Sequence, residues 1–426
     1  MKEVRVGIIG FGTVGTGTAK ILLSQRDNIK NRTGIDVVLK KVADKDIQRK
    51  RDVELPEGVL TADAWEVIND PEIDIIVELV GGITVAKEFI TEALKRGKHV
   101  VTANKALLAE EGNEIFVLAR QKGLQLGFEA SVGGGIPIIK VMREGLVANK
   151  MLAIYGIING TTNYILTKMT YEGIDFQDAL REAQQLGYAE ADPTLDIEGI
   201  DSAHKITILA SLAYGIPLSF NRVYCEGITK ITAQDIAFAK EFGYKIKLLA
   251  ITKILDGEIE IRVHPTMIPE DYLIAKVDGV FNAIYIDGDS VGATLYYGRG
   301  AGSLPTGSAV VADIVDIAKG ANQMPLDFSS PFKIKPIEEI ESMYYFRFTA
   351  LDRPGVLSKI SGVFGEHNIS IASVIQKGRS KAGAVPLVIL THKAREKDVL
   401  QAVEKIDQLP VVAAKSVFIR VEGQET

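Results

Sequence analysis

From Val4 to about Val132, short apolar runs alternate with segments of helical period. Strands are expected at Val4–Ile9, Asp36–Val42, Asp74–Val80, His99–Thr102 and Leu124–Phe128, with helices at Thr13–Leu23, about Val85–Lys95 and about Ala106–Lys122. Parallel strands need crossover helices, so this alternation predicts a doubly wound parallel sheet. The nearly unbroken apolar runs at Ile73–Val77 and His99–Val101 suit strands covered on both faces.

From Gly133 to roughly Pro331 the alternation stops. Helical segments dominate Thr161–Tyr214, and alternating runs at Lys245–Leu255, Glu258–Val263, Phe281–Ile286 and Val291–Tyr297 predict an antiparallel sheet. A helix at about residues 304–320 is expected to pack back on the first domain. Met324–Pro336 then holds three prolines, as a linker would. Beyond it, the pattern reads strand Tyr344–Leu351, helix Gly355–His367, strands Ile369–Lys377 and Ala384–Thr391, helix Glu396–Gln408 and strand Val411–Val421. That βαββαβ order is the ferredoxin-like unit. The expected division is therefore an α/β dinucleotide-type domain at 1–132, an α+β domain at 133–323, a linker at 324–342 and a ferredoxin-like domain at 343–426.

The 426 residues leave room for two or three domains of about 150 residues each. A net charge of -6 has the wrong sign for a protein that binds by neutralising phosphates, so nucleic acid is not an expected partner. The start of the chain runs from a short strand into glycines rather than a signal-type apolar stretch, and no run is long enough to cross a bilayer, so no membrane partner is expected. One cysteine, Cys225, excludes an intramolecular disulfide and a cysteine-rich zinc site. These features suggest a cytoplasmic location.

Gly10-Phe11-Gly12-Thr13-Val14-Gly15 lies between a strand and a helix, the context of a Rossmann-type dinucleotide fingerprint. The first glycine permits the turn, the second admits the pyrophosphate, and the third lets helix and strand pack closely. An acid at the end of the second strand favours NAD and basic side chains favour NADP. Lys40-Lys41-Val42-Ala43-Asp44-Lys45 supplies both, and the surrounding lysines tilt the expectation to NADP with NAD also usable. Lys105 follows the strand at His99, at a carboxyl end of the sheet, where open α/β sheets bind ligands.

Five carboxylates fall between Glu190 and Asp201, followed by Lys205. Pro193 and Gly199 make the first part a loop, and Asp201 can begin a helix that continues apolar almost all round. At spacing i, i+4, Asp201 and Lys205 share a face that becomes core, which points the pair into a cleft rather than into solvent. The carboxylates could receive an ammonium group while Lys205 relays a proton. The order of acids does not fit an EF-hand calcium loop. His204 reads as a packing or surface residue.

The run from Ala183 through Gly187-Tyr188, Asp192-Pro193, Asp196-Ile197, Gly199 and Asp201 to Lys205 resembles the signature of the homoserine dehydrogenase family. Gly10–Gly15, Thr102–Lys105, Glu129–Pro137 and Asn159–Asn163 match that family too, over about residues 1 to 322. The resemblance implies NAD(P)-dependent interconversion of L-homoserine and L-aspartate 4-semialdehyde, on the route to threonine, methionine and isoleucine. It assigns proton transfer to Lys105 and Lys205 and substrate binding to Glu190, Asp201 and Asp196. Gly160, Thr161 and Tyr188, in matching runs, join the substrate set. Gly187 and Gly302 join the cofactor contacts Gly10, Phe11, Gly12, Thr13, Val14, Gly15 and Lys105. A sodium-type monovalent cation is implied at Glu129, Val132, Gly134 and Ile136, the last three through backbone carbonyls; oxygen ligands suit such an ion.

The final domain resembles an ACT domain, through Leu351-Asp352-Arg353-Pro354-Gly355-Val356-Leu357 and His367-Asn368-Ile369-Ser370-Ile371. That implies a regulatory amino acid, threonine first, and assembly as a homodimer or homotetramer; an ACT fold that only dimerises is the alternative. Two other functions compete. An acylating aldehyde dehydrogenase needs a thiol nucleophile, yet Cys225 has no histidine nearby in sequence. A non-catalytic nucleotide or amino-acid sensor would not need Asp201 and Lys205 on a buried helix.

Overall fold

The computed structural model describes residues 2–320, 330–376 and 383–423. The first sheet is built from β1 (Lys2–Ile9), α1 (Thr13–Ser24), α2 (Arg26–Thr33), β2 (Ile35–Ala43), β3 (Leu60–Thr61), α3 (Ala64–Asn69), β4 (Ile75–Glu78), α4 (Thr84–Lys95), β5 (His99–Thr102), α5 (Lys105–Lys122) and β6 (Leu126–Gly127). Its order, β3-β2-β1-β4-β5-β6, is all parallel and reverses direction beside β1, which places a ligand crevice at the carboxyl ends of β1 and β4. The last strand is shorter than its apolar run suggested. The helices α2 and α3 were not evident from the pattern; α2 buries none of its residues, so it has no apolar stripe to show.

The chain continues through α6 (Ile138–Lys140), β7 (Met151–Ile157), α7 (Gly160–Glu172), α8 (Phe176–Gln185), α9 (Thr194–Ile197), α10 (Ile200–Tyr214), β8 (Tyr224–Cys225), α11 (Ala233–Glu241), β9 (Tyr244–Leu255), β10 (Glu258–Pro269), β11 (Phe281–Gly288), β12 (Gly292–Arg299) and α12 (Ser303–Ala318). After the expected linker, whose residues 324–329 lie outside the described residues, come β13 (Lys333–Ile334), β14 (Glu341–Leu351), α13 (Val356–Glu366), β15 (Ile371–Gln376), β16 (Ala384–Thr391), β17 (Ala394–Arg395), α14 (Glu396–Asp407) and β18 (Val412–Val421).

These elements pack into two compact units, Met1–Gly160 with Asp201–Val223 and Val280–Phe332, and Thr161–Ile200 with Tyr224–Gly279 and Lys333–Thr426. In the first, the helix α12 lies on α1. A Cβ on Gly17 would sit 2.1 Å from the Ser303 carbonyl and one on Gly307 2.8 Å from the Thr18 amide, so only glycine allows this approach. Val310 and Ile314 of α12 then join Val6, Ile8 and Leu22 in one core. The antiparallel strands β7, β11 and β12 belong to the same unit.

In the second unit β9 and β10 pair antiparallel along their whole length, as the alternation predicted. The C-terminal sheet has the order β18-β14-β16-β15, with α13 and α14 closing a core of Phe346, Phe348, Phe364, Val399 and Ile406. This is the ferredoxin-like arrangement. Its edge strand β18 pairs parallel with β10, Thr266 opposite Arg420 and Met267 opposite Val421, so the two sheets are continuous.

Candidate active site

The glycine turn after β1 closes tightly against its neighbours. Gly10 adopts φ +101°, and a Cβ there would lie 2.5 Å from the Leu79 backbone; at Gly15 it would lie 2.0 Å from the Gly10 carbonyl. Gly12 is the N-cap of α1 and has open space where a Cβ would be, so the helix N-terminus faces a crevice that backbone or phosphate can approach. Thr13 and Val14 form the first turn. Across the turn, the buried Glu78 carboxylate accepts from the Val80 amide at 2.8 Å and from the Thr102 hydroxyl at 2.7 Å, which orders the loop after β4.

At the end of β2, Asp44 is committed to protein contacts. It accepts the Phe11 amide at 2.6 Å and the Asp46 amide at 2.8 Å, and it pairs with Arg51 at 3.1 Å. Arg51 also donates to the Phe11 carbonyl at 2.7 Å and lies over the Phe11 ring. Lys40 and Lys41, at the end of the same strand, pair with Glu72 and Glu66. The basic groups at this corner are Arg49 and Arg51, which line a cavity of 320 Å³ with Phe11, Leu55 and Gly58. The sequence reading missed both because they stand on an irregular segment after the strand.

Asp201 lies in the first turn of α10, where a carboxylate complements the helix dipole. Lys205, one turn on, donates to Asp201 Oδ2 at 2.7 Å and to the Ile158 carbonyl at 2.7 Å. Asn159 donates to the same oxygen at 2.9 Å, and Lys105 Nζ is 3.4 Å from Oδ1. Burial alone would raise the Asp201 carboxyl, but the charges of Lys205 and Lys105 hold it well below the usual carboxylate range. The Lys205 side chain is 11% exposed and that of Lys105 41%, so one ammonium is enclosed and the other reaches open space. Gly160 begins α7 directly after this group. Lys105 opens α5, capped by Asn104, whose side chain accepts from Leu107 at 3.1 Å. His204 is a packing residue: its ring lies 4.4 Å from that of Phe220 and its Nε2 is 3.2 Å from Glu110.

In the second unit Thr161 donates to the Tyr188 carbonyl at 2.6 Å, and Tyr188 packs against Tyr164. Gly187 turns the chain at φ +74°. Glu190 is exposed, and Asp196 sits in the short helix α9. Thus Lys105, Asp201, Lys205 and Gly160 come together in one unit, while Thr161, Gly187, Tyr188, Glu190 and Asp196 belong to the other.

Glu129 is buried and accepts the Ile139 and Lys140 amides, each at 2.8 Å. Burial pushes its carboxyl up to about 7, only partly offset by those amides. Gly134 has φ +56° and no room for a Cβ, which would lie 2.4 Å from the Gly300 carbonyl. Gly302 precedes α12 at φ +127°. Cys225 donates to the Glu198 carbonyl at 3.2 Å, and burial pushes its thiol up to about 11, the opposite of an activated nucleophile.

Three family models match the chain: the NAD-binding domain of homoserine dehydrogenase over residues 10–129, the homoserine dehydrogenase domain over 137–315, and the ACT domain over 344–411. A homoserine dehydrogenase of Pseudomonas aeruginosa is 48% identical, covering 99% of each chain. The chain belongs to the homoserine dehydrogenase family. The solved homoserine dehydrogenase of Thiobacillus denitrificans superposes with a TM-score of 0.94 at 48% identity, covering 99% of each chain. A hyperthermophilic archaeal homoserine dehydrogenase, solved in complex with NADPH, has a TM-score of 0.63 at 28% identity over 76% of this chain and 99% of its own.

As a homoserine dehydrogenase family member the chain is an oxidoreductase with an NAD-binding domain and a C-terminal ACT domain. Among the described residues no helix is long and apolar enough to cross a membrane. Asn159 is the clearest addition to the residues that sequence singled out individually. The Asn159-Gly160-Thr161-Thr162-Asn163 motif was the available signal, but only the fold shows its first side chain on Asp201.

Proposed function

We infer that the chain interconverts L-homoserine and L-aspartate 4-semialdehyde, and that Lys205 moves the proton at the substrate's side-chain oxygen. The observation that carries this reading is the buried Lys205–Asp201 pair, joined by Lys105 and Asn159 at the carboxyl end of the dinucleotide-type sheet. A nicotinamide cofactor, when bound, supplies the hydride chemistry. The glycine turn and the N-terminus of α1 suit its pyrophosphate. Asp44 is engaged by the Phe11 amide and Arg51, and Arg49 and Arg51 supply positive charge at the same corner, which supports NADP as the better substrate, with NAD accepted.

Lys105 assists at the open end of the same carboxylate. Asp201 and Gly160 of the first unit are proposed as substrate-binding residues, and so, each by itself, are Glu190, Asp196, Thr161 and Tyr188 of the second; the carboxylates among them suit the substrate's ammonium group. Gly187 and Gly302 are assigned to the cofactor. Glu129 and the carbonyls of Val132, Gly134 and Ile136 suit a monovalent cation such as sodium: the carboxyl is buried and gains from a neighbouring positive charge, and the turn at Gly134 is too close-packed for a side chain. The ACT domain would bind threonine or a related amino acid. The protein would work in the cytoplasm as a homodimer or homotetramer. Reduction of NADP+ that depends on L-homoserine supports this function; its absence, with cofactor binding intact, would favour a nucleotide or amino-acid sensor.

A further inference from the structure

The second unit contains a buried ionic cluster that the proposed chemistry does not use. Arg420, on the last strand of the ACT fold, is 1% exposed. Its guanidinium donates to Glu396 from Nε at 3.0 Å and again from Nη2, to Glu226 from Nη1 at 3.0 Å, and to the Tyr224 hydroxyl from Nη2 at 3.0 Å. It also lies over the Tyr224 ring, 4.8 Å from its centre. Glu396 belongs to the ACT fold, whereas Tyr224 and Glu226 belong to a segment held on β10 by a two-residue parallel pairing and by the Glu226 amide, which donates to the Val263 carbonyl at 2.8 Å.

The other side of that segment touches the acidic loop. Ile228 donates to the Ile197 carbonyl at 2.8 Å, and Cys225 donates to that of Glu198. A Cβ on Gly227 would be 2.2 Å from the Ile197 carbonyl, so the two backbones are in direct contact with no side chain between them. The residues so held, Thr194–Ile197 and Glu198, include Asp196 and run straight into the helix that carries Asp201.

We propose that Arg420 is a positioning residue for the acidic substrate loop, acting from the ACT fold through Tyr224 and Glu226. The proposal rests on the reading of Asp196 and its neighbours as substrate contacts. With the segment 224–228 clamped, the loop backbone is fixed from behind. With the clamp released, the two-residue pairing and a few amide bonds are left to hold it, and the carboxylates lose their placement. Small displacements of binding groups are costly in productive binding.

The test uses the full-length protein with Glu226→Ala, Glu226→Gln, Tyr224→Phe and, as a control for weakened ACT docking, Asp235→Asn. Asp235 joins the ACT fold through Arg347 at 2.6 Å and Tyr345 at 3.1 Å and otherwise caps its own helix through Thr232. The expected result is a KM for L-homoserine raised about three- to tenfold in Glu226→Ala and Tyr224→Phe and less in Glu226→Gln, with kcat and the KM for NADP+ within about twofold of the parent. Asp235→Asn should lower the melting temperature and leave the KM for L-homoserine unchanged. An unchanged KM for L-homoserine in Glu226→Ala and Tyr224→Phe, or an equal rise in Asp235→Asn, would overturn the proposal. Failure of the underlying functional reading is separately visible, because the parent itself would then not turn over L-homoserine.

Discussion

Asp201 and Lys205 form a buried pair one helical turn apart, 2.7 Å between the carboxylate and the ammonium, with Lys105 on the opposite carboxylate oxygen. Asp201→Asn keeps the shape but removes the charge that balances both lysines. Turnover is expected to fall at least about 100-fold, and breaking a buried pair of this kind costs about 3–5 kcal/mol of stability. Steady-state kinetics and the urea midpoint of the variant check the two halves. The pH sign follows from the lowered folded-state carboxyl. Its contribution to stability is present above the ordinary value of 3.8 and is lost as pH falls below it, so the variant should show a flatter acid limb than the parent.

Arg49 offers a direct handle on cofactor choice, since Arg51 is already tied to Asp44 and the Phe11 carbonyl. Arg49→Ala should raise the KM for NADP+ about tenfold while leaving that for NAD+ within about twofold, as expected for a contact made only to the 2′-phosphate. Equal rises for both cofactors would place Arg49 outside that contact.

Glu422 joins Arg262 at the seam between the continuous sheets and Lys253 at 3.1 Å. Burial opposes its ionisation, but Arg262 and Lys253 bring the carboxyl down from 4.5 to about 2. The stabilisation it contributes is complete above about pH 4.5 and is lost as pH falls through about 2. Thermal melts between pH 6 and about pH 2.5 should show less acid sensitivity in Glu422→Gln than in the parent, and a lower melting temperature at neutral pH because Arg262 is left with less compensation.

Replacing sodium by choline at constant ionic strength should lower the melting temperature by a few degrees, by the linkage of a folded-state ligand. Glu129→Gln should melt lower than the parent in sodium and show no difference between the two salts. Equal melting of the parent in sodium and choline would count against the cation.

Much of the fold was legible because its signals are local. The glycine turn, the alternation of strands with helices, and the βαββαβ order each lie within a short stretch of chain. The strand Met151–Ile157 was not legible: five of its seven residues are buried, on both faces, which removes the period-two pattern. The merging of the ACT sheet with β10 was equally hidden, since the pairing of Thr266 with Arg420 joins segments far apart in sequence. At the site, the i, i+4 spacing exposed Asp201 and Lys205. Asn159 and the Ile158 carbonyl approach from another element, and Arg49 and Arg51 stand on a loop whose path no periodicity encodes. The partners of the lysines before Asp44 were hidden for the complementary reason: a charged run says nothing about which acids lie across from it, and for Lys40 and Lys41 these are Glu72 and Glu66.

The most direct measurement is the turnover of Lys205→Ala with saturating L-homoserine and NADP+, alongside its binding of NADP+. A proton-transfer role predicts a kcat lowered by about 100- to 10,000-fold with cofactor affinity kept. A folded variant with near-parental kcat would contradict the account.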